Sequence, residues 1–413
     1  VLSRRPVSPF KRLQWQAEAF AHALVEAVMG RLPASLAFRL GELLGLAAWY
    51  LFPKRRAIVI RNLRIALAGR ILPADIPAAA RRNFRRIGAN LISAARTARL
   101  PAHRVHEVLH MENPECIGEA LAEGRGIVLV LAHMGNWELL SRIAHVLPHG
   151  VKTGAFYRPL NNPIMDRRVL ARREADGARL FSKRDPFHQV IGFLRNGGVV
   201  GVLADQRVGI QGAVVPFFGR LTRMSPLPSL LARRAHAAVM ALSLVAERPG
   251  RWKAVLTRVE DPVDTASCTA ALEDVMKNGI DDVFWLQDRW KVHVGPKRPI
   301  SRWLGQEARG AIPHRALIWL TQALASPLPD GWLHPDVVYE LVLAPSQSAP
   351  DWLPTDTRIH DAPADTHPRH LARWLHRIDA EGPLPVDYLV APNAPEWLAA
   401  AARLAGIRFA DPE

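Results

Sequence analysis

Apolar residues in the first fifty positions recur with a helical period, and polar residues interrupt them. Between Leu13 and Gly30, Glu18, His22 and Glu26 stand four apart on one face, while Phe20, Leu24 and Val28 stand four apart on another. Leu36 to Phe52 is richer in leucine but is broken by Arg39 and Glu42. Neither stretch has the roughly 18 uninterrupted apolar residues of a spanning helix. The pattern predicts amphipathic helices lying on or partly in a bilayer. Two core helices of a soluble domain would give the same spacing. Residues 1–110 read as almost wholly helical, punctuated by Pro33, Pro53, Pro73, Pro77 and Pro101.

The pattern changes near residue 124. Gly126 to Ala132, a wholly apolar run after a Gly-Arg-Gly turn, reads as a buried parallel strand. Further strands are expected at 151–157, 199–204, 239–245 and 252–259. Helices are expected from Asn136 onward and over 163–177 and 186–194, the last stopped by Asn196-Gly197-Gly198. Strands alternating with helices predict an α/β fold with a mostly parallel sheet flanked by helices, behind a helical N-terminal part. The Gly/Pro/Arg-rich stretch 295–313 reads as a linker. After it, strands at 315–324, 337–343 and 386–390 and helices at 369–378 and 396–404 predict a small C-terminal α/β unit. The expected segments are 1–55, helical and membrane-associated; 56–300, the main domain; and 311–413, an α/β domain without an assigned role. A chain ending near Gln306 is expected to fold and act without that tail.

Charge narrows the partners. The chain carries 54 Lys and Arg against 38 Asp and Glu, a net charge of +16, which suits nucleic acid, anionic lipid, a phosphorylated substrate or an acidic carrier protein. Basic runs at Lys54–Arg56, Arg81-Arg82 and Arg85-Arg86 accompany the apolar helices, as expected beside anionic membrane lipid. No nucleic-acid recognition motif stands out, so no nucleic-acid partner is expected. A basic membrane- or nucleic-acid-binding protein without catalysis is the alternative from a different class. Cys116 and Cys268 are the two cysteines and lack zinc spacing, which excludes a disulfide framework and points to a reducing compartment. His103, His106 and His110 could share a helix face, but they lack Cys or carboxylate partners, and no metal site is expected.

The chemistry concentrates in Ala132-His133-Met134-Gly135-Asn136-Trp137-Glu138, between an expected buried strand and an expected helix, where α/β folds place ligands. Acyl transfer to an alcohol needs a base for the hydroxyl proton. Histidine suits that role near neutral pH, and a carboxylate on its other ring nitrogen fixes the tautomer. His133 and Glu138 are the expected pair, and a helix start offers N–H groups for a developing oxyanion.

His133 to Glu138 (HMGNWE) resembles the signature of the lipid A biosynthesis acyltransferases, the late lauroyl/myristoyl transferase family. Tyr157 to Asp166 (YRPLNNPIMD), Ala204-Asp205-Gln206, Val215 to Gly219 (VPFFG) and Trp285-Leu286 through Arg289-Trp290-Lys291 resemble further family segments. Arg31-Leu32-Pro33, Leu40-Gly41 through Leu44-Gly45 and Arg61-Asn62-Leu63 fit the N-terminal part, so the resemblance covers about residues 20–295 in order. It implies a glycerolipid-acyltransferase-like fold for segment 56–300, His133 and Glu138 as a catalytic dyad, and no covalent acyl-enzyme, metal or cofactor. The implied donor is an acyl carrier protein or coenzyme A thioester, and the acceptor a lipid A precursor or related glycolipid at the cytoplasmic face of an inner membrane. Another polar lipid or lipid-linked sugar is the alternative acceptor. Substrate contacts are expected from Asn136, Arg158, Asp205, Gln206, Arg207, Phe217 and Phe218. Two departures stand out. Gln287-Asp288 occupies the place where the family has His-Arg, and the chain continues about 120 residues past that motif.

Overall fold

Among the described residues, 8–100 carry four α-helices, α1 (Pro9–Met29), α2 (Ala34–Leu51), α3 (Pro53–Ala66) and α4 (Ile76–Thr97). Ser8 starts α1: its hydroxyl accepts from the Lys11 N–H, and Pro9 takes the first helical position, where no N–H is missed. α2 and α4 touch backbone to backbone. A Cβ on Gly41 would lie 2.5 Å from the Gly88 carbonyl oxygen, and one on Gly45 would lie 2.2 Å from that of Phe84. Glycine at both positions is what permits this crossing. This computed structural model describes residues 8–182, 185–291, 299–306, 308–321, 328–344, 347–353 and 356–412. Residues 1–7 of the expected membrane-associated segment, 295–298 and 307 of the expected linker and 322–324 of an expected strand lie outside them.

Fourteen strands follow among the described residues: β1 (Leu109–Glu112), β2 (Ile127–Leu131), β3 (Thr153–Tyr157), β4 (Arg179–Ser182), β5 (Val199–Leu203), β6 (Ala213–Phe217), β7 (Arg220–Met224), β8 (Ala238–Arg248), β9 (Arg251–Val259), β10 (His314–Leu320), β11 (Val337–Leu343), β12 (Arg358–Asp361), β13 (Tyr388–Val390) and β14 (Arg408–Ala410). The chain divides into two compact units. Residues 1–53, 79–206 and 226–284 form the first, and residues 54–78, 207–225 and 285–413 form the second.

The first unit is built on a seven-stranded sheet in the order β1-β9-β8-β2-β5-β3-β4. β8, β2, β5, β3 and β4 run parallel, and β9 turns back antiparallel on β8. Every residue of β2 (IVLVL) is buried, as expected of a central parallel strand covered on both faces. Buried Glu26 docks α1 onto the helix Pro163–Glu174 by accepting from Arg168 (3.0 Å) and from Arg172. Elsewhere on α1, Phe10, Leu13, Phe20, Leu24 and Val28 are exposed. No single helix among the described residues is long and apolar enough to cross a membrane; α2 and α3 pass that test only as a bent pair, by length and composition.

The second unit is built on an all-parallel five-stranded sheet in the order β12-β11-β10-β13-β14, with the β6–β7 hairpin as a separate antiparallel pair. β10 (HRALIWL) is buried at every position. Asp387, just before β13, is buried and accepts from Arg61 of α3, from Arg220 of β7 and from His314 Nδ1 at 2.9 Å. Arg64 of α3 adds bonds to the Asp379 carboxylate (2.8 Å) and the Gly382 carbonyl (2.7 Å). The stretches 54–78 and 207–225 therefore pack with the C-terminal sheet through buried charge as well as apolar contact.

Candidate active site

The register of two neighbouring parallel strands makes the site. Leu131 of β2 lies opposite Leu203 of β5. Two residues beyond each strand end stand His133 and Asp205, and the Ala204 N–H to Leu131 carbonyl bond (2.9 Å) carries the pairing past the strands. His133 Nδ1 and Asp205 Oδ1 are 2.7 Å apart, with both side chains largely buried. On the other ring nitrogen, the Gln206 amide donates to His133 Nε2 at 3.1 Å. A bare, accepting Nε2 requires the proton on Nδ1, donated to Asp205, and this is the tautomer of a general base.

The loop after His133 is pinned from behind. The His133 carbonyl accepts from the Phe284 N–H (2.8 Å), and the Gly135 N–H donates to the Asp282 carbonyl (3.0 Å). The Asn83 amide of α4 in turn bonds the carbonyls of Asp281 (2.9 Å) and Val283 (2.7 Å). Gly135 has φ +58°, and a Cβ there would meet the Leu244 carbonyl oxygen at 2.3 Å, so the turn admits only glycine. Asn136 is buried and its amide donates to Thr97 Oγ1 at 2.9 Å, which ties the loop to α4.

The expected helix after Asn136 is a 3-10 segment, Trp137–His145, with Glu138 in its first turn. The Glu138 carboxylate accepts two bonds from Arg173, at 2.7 and 3.2 Å, on the helix Pro163–Glu174. Among the described residues, the carboxylate on His133 Nδ1 is that of Asp205. Trp137 packs edge-on against the His133 ring at 5.5 Å and also lines an apolar cavity under the sheet face, beside Leu131 and Leu203. No group of three or more His, Cys, Asp or Glu among the described residues could hold a metal ion.

The sequence profile of bacterial lipid A biosynthesis acyltransferases matches residues 10–292. The chain belongs to this family. It is 31% identical over 188 residues to the phosphatidylinositol mannoside acyltransferase of Mycobacterium tuberculosis (strain CDC 1551 / Oshkosh), covering 43% of this chain and 59% of the relative. It therefore spans less than two thirds of that relative's length. It is 30% identical over 246 residues to the protein of the same name in Mycolicibacterium smegmatis, covering 55% and 77% of the two chains. It is also 24% identical over 270 residues to the lipid A biosynthesis palmitoleoyltransferase of Escherichia coli (strain K12), covering 63% and 87%.

The other family-like residues fall in both units. Arg158 is exposed just past β3 in the first. Arg207, Phe217 and Phe218 belong to the second. There Phe217 and Phe218 are buried against Trp285 and Trp290, with Phe–Trp ring centroids 5.6 to 6.2 Å apart. Burial lowers the Arg207 pKa, and nearby Asp288, of the Gln287-Asp288 pair that departs from the family motif, counters it.

His133 sets the expected pH dependence. Burial alone would lower its pKa; the charge and hydrogen bond of Asp205, with the charge of Glu138 behind them, outweigh burial and raise it above the ordinary value. Activity that needs the neutral ring should then rise with pH through a midpoint above the usual ~6.5. In Asp205→Asn the larger raising influence is gone and only the charge of Glu138 remains, so the acid limb of kcat/KM should move to lower pH while the maximum falls. An unmoved limb would separate Asp205 from the titrating group.

Proposed function

We propose that this protein transfers a fatty acyl group from a coenzyme A or acyl carrier protein thioester to a hydroxyl of a polar glycolipid. The observation that carries the reading is His133 held between Asp205 on Nδ1 and an exposed Gln206 on Nε2. Gln206 stands where an acceptor hydroxyl would lie. As that oxygen attacks the thioester carbonyl, its proton passes to Nε2, and Asp205 stabilises the imidazolium. The tetrahedral intermediate then expels the thiolate, which takes the proton back from Nε2. The sequence expectation gave the ring to Glu138. In the reading proposed here Glu138 acts at a distance, fixed by Arg173, through its charge.

A mannosylated phosphatidylinositol is the favoured acceptor class, because the relatives so named match at 30–31% identity against 24–25% for the lipid A enzymes. Gln287-Asp288 in place of the family's basic pair also fits an acceptor other than a lipid A precursor. Exposed Arg158 would meet phosphate on donor or acceptor. The exposed apolar residues of α1 and the +16 charge suit attachment to an anionic membrane surface, at the cytoplasmic face where the donors are made. The test is mass spectrometry of total lipids from cells with and without the gene. An acylated polar glycolipid should disappear with the gene; a change confined to lipid A would return the acceptor to the lipid A class, and an unchanged lipid profile would count against acyl transfer to lipid altogether.

A further inference from the structure

Side chains alternate across a sheet, so residues two apart on neighbouring strands share a face. Val199, Gly201 and Leu203 of β5 line the apolar cavity beside Trp137, and the register places Leu129 of β2 and Ala155 of β3 on either side of Gly201. Leu203 lies at the His133 end of β5 and Val199 at the far end, about 13 Å away at a strand rise of about 3.3 Å per residue. Halfway along this floor the side chain is missing. A Cβ built on Gly201 meets Leu131 Cδ1 at 2.9 Å and otherwise finds no atom closer than 3.8 Å. The glycine has no conformational reason to be there, since its φ lies outside the left-handed region. What its hydrogen provides is depth.

We propose that Gly201 sets the length of the acyl chain, by letting the chain's tail pass beneath the sheet toward Val199. This rests on the acyl-transfer reading above and assigns the cavity to the donor's hydrocarbon. The carbonyl lies at the His133 end, Trp137 guides the first methylenes, and the Gly201 dent admits the later ones. A larger side chain at position 201 closes the passage for long chains and leaves the outer part open to short ones.

The experiment titrates full-length wild-type protein, Gly201→Ala and Gly201→Val with saturated acyl-coenzyme A esters that differ by two carbons, using calorimetry in detergent. Coenzyme A release is followed in parallel with phosphatidylinositol mannoside and with a lipid A precursor as acceptors. Gly201→Val should bind short esters like wild type and lose about tenfold or more on the long esters that wild type prefers, the scale of methylene discrimination in an apolar pocket. Unchanged binding of short esters also reports that the variant is folded. Gly201→Ala, whose added methyl meets only the movable end of Leu131, should shift the profile less and in the same direction, and it carries the test if the valine variant does not fold. The same length profile in all three proteins, or an equal loss at every length, overturns the proposal. So does a wild type that binds no ester. Wild-type binding that falls off beyond a fixed length, without transfer to either acceptor, would instead defeat the acyl-transfer reading and leave the cavity assignment standing.

Discussion

Replacing His133 by alanine is expected to lower acyl transfer by about 10² to 10⁴-fold, the usual cost of losing a general base. The fold should survive. His133 lies beyond the end of β2 with its side chain partly exposed, and the loop is held by backbone bonds from Phe284 and Asp282 that the substitution leaves in place. Asp205→Asn should come next in severity, because its carboxylate touches the ring at 2.7 Å. Glu138→Gln should cost least, since its carboxylate bonds Arg173 and reaches the ring only through its charge. Rates of the three purified variants, each shown folded by circular dichroism, check the order. Near wild-type transfer by His133→Ala would remove the base from the mechanism, and a Glu138 effect equal to that of His133 would restore the dyad read from the sequence.

The second large effect concerns stability. Asp387 and Arg220 are both fully buried, and among the described residues the arginine's Nε and Nη1 have no hydrogen-bond partner, which leaves the Nη2 bond to Asp387 to hold it. Asp387→Ala would strand that cation, along with part of the bonding of Arg61 and His314. Breaking a buried pair from one side costs about 3–5 kcal/mol, because the remaining charge keeps its desolvation penalty. For a unit of this size the midpoint of thermal unfolding should fall on the order of 10 °C. A chain ending near Gln306 removes Asp387 and Asp379 together, so it is expected to lose the folded state of residues 54–78 and 207–225. This reverses the expectation drawn from the sequence. A truncated protein that unfolds at the wild-type temperature would show that the buried charges of Arg61, Arg64 and Arg220 find other partners.

The strands of the first sheet were legible where burial is two-sided. Gly126 to Ala132 and 199–204 announced β2 and β5 to within a residue, because a parallel strand covered on both faces reads as an unbroken apolar run. β11 was also read to the residue, although Val338 is exposed and Glu340 interrupts its apolar run. The β6–β7 hairpin was not read: Pro216 breaks the first strand's pattern and arginines open and interrupt the second, yet Arg220 is buried because Asp387 waits for it some 167 residues later. No local pattern carries that. At the site, His133 stood out from its neighbours, and Glu138 was read as its partner from its place in the turn after an expected buried strand and from the family resemblance, with Asp205 expected among the substrate contacts. Asp205 lies 72 residues away, and only the Leu131–Leu203 register brings it to the ring. The sequence did hold the signal. Two apolar runs, each followed two residues later by a polar group, become one site if the runs pair in parallel without offset.

The central claim is tested most directly by giving purified full-length protein an acyl-coenzyme A thioester and a phosphatidylinositol mannoside, and following the glycolipid by mass spectrometry as free thiol is released. The account predicts one new acyl ester on the glycolipid for each thiol freed, an intact protein mass that never carries the acyl group, and the near-complete loss of both products in His133→Ala. Thiol release without an acylated lipid, or an acylated lipid formed equally well by His133→Ala, would contradict it.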